Sequence, residues 1–112
     1  MEKIKLEKKL IYHYSTYLDL TESKELKHFI QELLSKCEYQ VLNFIEHHFS
    51  PEGYTCVWLL GESHLAIHTF PESRTSYVEL SSCSKEKNEK FKVLLESQFK
   101  SCVNPKNSGV IH

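Results

Sequence analysis

The feature that most limits the fold of this chain is an apolar stripe between residues 26 and 37. Leu26, Phe29, Ile30, Leu33, Leu34 and Cys37 recur at three- and four-residue spacing, which places them on one face of an α-helix. Lys24, Lys27, Gln31, Glu32 and Ser35 fill the opposite face. A helix with a single apolar face must lie on something flat and apolar, most simply a sheet. Cys37 ends the stripe and reads as a packed core residue. Thr21 or Ser23 is expected to cap this helix, with Glu22 and Glu25 near its first turn.

The sheet is legible around it. Residues 1–9 are mostly Lys and Glu and read as a solvated lead-in. Leu10–Leu18 alternates, Ile11 and His13 against Tyr12 and Tyr14, and predicts a first strand. Tyr39–Glu46 predicts a second, with Val41 and Ile45 on one side and Leu42 and Phe44 on the other. His47 to Gly53 contains Pro51 and reads as a turn. Tyr54–Leu60 is a third strand. Gly61-Glu62 interrupts it, and Leu65–Phe70 is a fourth. Pro71–Arg74 turns the chain into a fifth, Thr75–Cys83. Ser82 or Ser84 then caps a second helix, with Phe91, Leu94, Leu95 and Phe99 on one face. Residues 101–112 are expected to close with a short strand or to fray. This order predicts one α+β domain over residues 1–112, a two-layer sandwich in which two helices cover one face of a largely antiparallel sheet. The other face is left for solvent or another chain. With six Phe, six Tyr and one Trp in the sequence, and Tyr54 and Trp58 on the third strand, a self-paired aromatic sheet face is expected.

Composition excludes several classes of function. The net charge of −1 advertises no polyanion partner, and no nucleic-acid-binding spacing is present. No apolar run approaches the ~20 residues of a membrane span. The charged N-terminus lacks the apolar core of a signal peptide, so a cytoplasmic location is expected. Cys37, Cys56, Cys83 and Cys102 are widely spread with no C-x-x-C pair, which argues against a zinc ribbon and a disulfide scaffold.

The chemistry is concentrated between Gly61 and Glu72. This segment holds a serine, two histidines and two carboxylates among apolar residues, inside what reads as sheet. His64 and His68 are four apart, but on a strand that spacing separates them by ~13 Å, too far to share an ion. No metal is expected. Ser63 lacks a G-x-S-x-G elbow, so an ordinary serine hydrolase is not indicated.

Glu62-Ser63-His64-x-x-Ile67-His68-Thr69-Phe70-Pro71-Glu72 resembles the signature of the bacterial and archaeal S-adenosylmethionine decarboxylases, small pyruvoyl-dependent enzymes. The resemblance runs upstream through His48-Phe49-x-Pro51-x-Gly53-x-Thr55 and downstream to Cys83, covering roughly residues 10–99. It implies self-cleavage between Glu62 and Ser63, giving chains 1–62 and 63–112. The Ser63 hydroxyl would attack the Glu62 carbonyl, and elimination and hydrolysis would convert residue 63 to the pyruvoyl cofactor, which holds the substrate amine as a Schiff base. It further implies His68 as the base in processing, Thr55 as a processing hydroxyl where the family usually has serine, and Cys83 as the proton donor in decarboxylation. Phe49 and Phe70 match positions that stack on adenine, and Glu72 the carboxylate that binds the ribose. The family works as a homodimer with sites near the subunit interface.

The sequence also departs from the family. Asp is replaced by Glu79, an aromatic by Ser81 and a glycine by Ser84 in the fifth strand, and the N-terminal Gly-x-His element is missing. These changes keep two alternatives open: a decarboxylase of the same family acting on ornithine or arginine, and a non-catalytic regulatory paralogue.

Overall fold

The computed structural model describes residues 8–99. Its elements are β1 (Tyr12–Leu18), α1 (Ser23–Lys36), β2 (Val41–His48), β3 (Tyr54–Leu60), β4 (Ser63–Phe70), a 3-10 turn (Pro71–Ser73), β5 (Thr75–Ser82) and α2 (Lys85–Gln98). The five strands form one sheet in the order β1-β5-β4-β3-β2. Every neighbouring pair is antiparallel. The expected α+β sandwich is therefore the observed one.

The two faces of the sheet differ because side chains alternate along each strand. Tyr14, Thr16 and Leu18 of β1 are buried, as are Ser76, Val78, Leu80 and Ser82 of β5. Leu65, Ile67 and Thr69 of β4 join them, with Tyr54, Cys56, Trp58 and Leu60 of β3. These residues meet Leu26, Ile30, Leu33 and Leu34 of α1 and Phe91 and Leu95 of α2 in one core. Each fully buried leucine there contributes ~1.5–3 kcal/mol relative to exposure. Two core hydroxyls are paired, that of Tyr14 donating to Glu96 at 2.7 Å and that of Tyr39 to Ser82 at 2.7 Å, whereas the buried Trp58 Nε1–H has no hydrogen-bond acceptor among the described residues.

Tyr54 and Trp58, expected on the free face, instead lie in the core with 3% and 0% exposure. Alternation shows that two residues share a side but not which side, and the helix layer claimed this one. The free face has other aromatics, Tyr17 and Tyr77, whose ring centroids lie 5.3 Å apart. In β2 the register shifts between Val41 and Asn43. That irregularity puts Val41 opposite Leu60 on the helix side while Ile45, opposite Val57, stays on the free side. The expected pairing of Val41 with Ile45 on one face does not hold. β2 also runs to His48, so His47 and His48 belong to the strand and not to the turn.

The α1 cap is Glu22, whose carboxylate accepts from the Lys24 and Glu25 amides at 2.9 and 3.3 Å, and not Thr21 or Ser23. Ser84 caps α2 by accepting from the Lys87 amide at 3.2 Å. The strand or frayed end expected at 101–112 lies outside the described residues. No described helix is long and apolar enough to cross a membrane.

Candidate active site

The open face of the sheet is organised in rows that cross all five strands. One row runs Tyr17, Tyr77, His68, Thr55 and His47, each opposite the next. Another runs His13, Ser81, His64, Leu59 and Asn43. Between them lie Ser15, Glu79, Ala66, Val57 and Ile45. Sequence spacing alone did not single out His13, Tyr17 or Tyr77; only strand order and register align them, and His47, with His64 and His68.

The row through His68 lies toward one end of the sheet. The Thr55 hydroxyl and His68 Nδ1 are hydrogen-bonded at 3.0 Å. If Nδ1–H donates to Thr55, Nε2 is left unprotonated and able to act as a base. Phe49, 51% exposed, stands just past the end of β2 and meets His47 edge-on at 4.5 Å between ring centroids. Its amide donates to the Gly53 carbonyl at 2.8 Å. Gly53 has φ +117, and a Cβ there would meet the Phe49 side chain at 3.4 Å, so glycine both makes the turn and admits the ring. Phe70, 39% exposed, ends β4, and Glu72 sits exposed in the 3-10 turn that follows. A cleft of about 460 Å³ opens between this end and the start of α1, lined by residues that include Thr21, Ser23, His48, Phe49, Tyr54 and Thr69 but not by Thr55, His68, Phe70 or Glu72.

The opposite end carries Glu62, Ser63 and Cys83. Leu60 pairs with Ser63, so Gly61-Glu62 is a two-residue hairpin loop. Glu62, and not the glycine, takes the left-handed conformation at φ +57. For a residue with a Cβ that costs roughly 1–2 kcal/mol. The peptide bond after this strained residue leads into Ser63, which is buried at 7% exposure and opens β4. β4 and β5 are in register at His64 and Ser81. Glu62, two residues before one, and Cys83, two residues after the other, therefore reach the same end of the sheet. Cys83 is a free, half-buried thiol, whereas Cys37 and Cys56 are buried in the core. Burial pushes the thiols of Cys37 and Cys56 up, Cys56 to about 12, which makes both inert.

The structure thus assembles the candidate residues into two groups and not one. Thr55, His68, Phe49, Phe70 and Glu72 gather at one end, and Glu62, Ser63 and Cys83 at the other. Ser63 and His68 are five residues apart on one strand, roughly 16 Å at the usual rise, and an odd spacing points them to opposite faces. Among the described residues, no three of His, Cys, Asp and Glu come close enough to hold a metal ion.

An antiparallel sheet backed by two helices, with reactive side chains divided between its ends, defines the type of domain. A family model described as S-adenosylmethionine decarboxylase matches residues 12–104, and the chain belongs to that family. It is 34% identical over 71 residues to an S-adenosylmethionine decarboxylase proenzyme of a Hydrogenobaculum species, covering 62% of this chain and 53% of that one. Over 44 residues it is 50% identical to the proenzyme of the same name from Prochlorococcus marinus strain MIT 9211, covering 39% and 36%. These matches span about a third to a half of the relatives' lengths. The crystal structure of the adenosylmethionine decarboxylase from Aquifex aeolicus has the same fold, with a TM-score of 0.70 at 21% identity, covering 84% of this chain and 83% of that one.

Proposed function

We propose that this chain is a self-cleaving, pyruvoyl-dependent S-adenosylmethionine decarboxylase whose active sites are each built from two copies of the chain. Family membership and the proenzyme names of its relatives support the activity. The division of the candidate residues between the two ends of one sheet supports the pairing. Two copies packed through their open faces, with strands running in opposite senses, set the Thr55–His68 end of one against the end of the other that holds the Glu62-Ser63 bond, although the Ser63 side chain itself starts on the helix side of β4. Sheets pack face to face at ~10 Å, a gap that side chains from both can fill. Ile45 at 65% exposure and Leu59 at 50% supply apolar surface on that face.

The residues fit a cofactor made from Ser63: a hydroxyl follows a strained Glu62 backbone, with a free thiol at the same end. The Ser63 Oγ attacks the Glu62 carbonyl carbon, and the amide becomes an ester with the residue 63 nitrogen freed as an amine. The partner subunit's His68, held by its Thr55, takes the α-proton of residue 63. The Glu62 carboxylate leaves by elimination, and water then replaces the nitrogen, which departs as ammonia. The resulting pyruvoyl ketone supplies an electron sink for loss of carbon dioxide from an amino acid. Cys83 delivers a proton to the carbon that has lost carbon dioxide. Phe49 and Phe70 offer faces for adenine, and Glu72 accepts two hydrogen bonds from a ribose diol. The product supplies aminopropyl groups for spermidine synthesis, and the reduced cysteines suit the cytoplasm.

Intact mass and carbon dioxide release test this reading together. Two chains cut between residues 62 and 63, with a pyruvoyl mass on the second and release from S-adenosylmethionine, are expected. A chain that stays whole, or that releases no carbon dioxide from S-adenosylmethionine, would overturn it.

A further inference from the structure

Lys9, just before β1, has a partner in the folded chain. It brings a cation to the hairpin loop at which cleavage is proposed. Lys9 Nζ donates to Glu62 Oε1 at 2.6 Å, across 53 residues of sequence. This is an exposed pair, with side-chain exposures of 67% and 63%. The hydrogen bond to Glu62, and then the charge of Glu62, hold the Lys9 ammonium above its ordinary value, with a smaller contribution from Cys83. Lys9 therefore sits within electrostatic reach of both the residue before the cut and the thiol at the same end of the sheet. Glu62 is also the residue whose backbone is left-handed, at φ +57. A two-residue loop with a side chain in that region relaxes unless something holds it.

Resting on the proposed self-cleavage, we propose that Lys9 is a positioning residue for it: by gripping the Glu62 side chain it holds the loop in the conformation that presents the Glu62 carbonyl to Ser63. An exposed ion pair of this kind shifts a two-state population by up to about fivefold, so the contact tunes the rate and does not create the reaction. The pair also outlasts the cut. Lys9 and Glu62 both belong to the chain of residues 1–62, and cleavage adds the new terminal carboxylate at Glu62. The same ammonium then faces two carboxylates and keeps the cut end docked beside Cys83.

Time courses of cleavage after cell-free synthesis, read by intact mass at low and high sodium chloride, test this role. Lys9→Met is expected to cleave about three- to fivefold more slowly at low salt with an unchanged thermal midpoint. Lys9→Arg should stay within about twofold of the unsubstituted chain, because it keeps the donor and charge. Added salt should slow the unsubstituted chain and leave Lys9→Met unaffected. The charge-swapped pair Lys9→Glu with Glu62→Lys should cleave faster than Lys9→Glu alone. Lys9→Met cleaving as fast as the unsubstituted chain overturns the proposal, as does a slowing that salt and Lys9→Arg leave unchanged. An unsubstituted chain that never cleaves brings down the self-cleavage reading first, and this role with it.

Discussion

The two ends of the sheet are built differently. At one, Thr55 and His68 are tied to each other across neighbouring strands and flanked by Tyr77 and His47 in a continuous row. This end carries a base, and it has a left-handed residue of its own, Arg74 at φ +56 in the turn after Phe70. At the other, Glu62 occupies the left-handed region in a two-residue loop, with Ser63 buried behind it and Lys9 braced against it. That end stores strain next to a nucleophile and holds no base of its own among the residues expected to act. In the proposed reaction one end supplies proton transfer and ligand faces and the other the bond to be cut, and a second copy of the chain brings the two together.

The largest expected effect comes from removing the nucleophile. Ser63→Ala should abolish cleavage and decarboxylation together, seen as one uncut mass and no carbon dioxide release. Decarboxylation retained in that variant would remove the need for either end as described. Next is the surface that joins the ends. Leu59→Asp on the open face should weaken self-association by roughly 30-fold, the size expected for a central apolar contact, and slow cleavage in parallel. Analytical ultracentrifugation and intact mass report both, and a monomer that cleaves at full rate would show that one chain suffices. Cys83→Ala separates the two reactions at the strained end. It should leave cleavage largely intact and slow decarboxylation by about 100-fold; a defect mainly in cleavage would give Cys83 a different role.

The smallest effect lies on the helix side of the edge strand. Glu46 on the edge strand β2 accepts from the Tyr54 hydroxyl, and Lys27 Nζ lies 3.5 Å from it. The Tyr54 hydrogen bond holds the Glu46 carboxyl below its ordinary value of 4.5. Its contribution to stability is thus present above pH 4.5 and is lost as pH falls through the lower folded value. Glu46→Gln should lower the thermal midpoint by about 2 °C at pH 7 and leave cleavage unchanged. It should also remove that part of the acid sensitivity. A midpoint shift that is the same at pH 3 as at pH 7 would contradict this account of Glu46.

Much of the fold was legible because it rests on local periodicity. The stripe from Leu26 to Cys37 predicts α1 and its buried face, and alternation predicts all five strands. What periodicity lacks is the identity of the face. Tyr54 and Trp58 share a side, but only packing against the helices makes it the core. The register shift in β2 reverses Val41 relative to Ile45, and no spacing reveals it. Glu22 caps α1 in place of its hydroxyl neighbours because its longer side chain reaches back to two amides.

The candidate site was legible in its residue types and only partly in its layout. Nearness in sequence makes Ser63 and His68 look like partners. The rise per residue that parts His64 from His68 parts Ser63 from His68 as well, once β4 is known to be extended throughout. The contacts of His13 with Ser81 at 3.0 Å and of Lys9 with Glu62 join residues 68 and 53 apart. Long-range register, and not sequence pattern, creates both.

Complementation between two inactive chains tests the shared site most directly. Chains carrying Ser63→Ala and His68→Gln, distinguishable by mass, are made separately and together, and cleavage is followed by intact mass. The Ser63→Ala chain keeps His68, and the His68→Gln chain keeps Ser63, so a mixed dimer contains one complete site. The account predicts that neither chain is cut alone and that the His68→Gln chain is cut at residues 62–63 when the two are together. A His68→Gln chain that is cut alone, or that stays whole in verified mixed dimers, would contradict it.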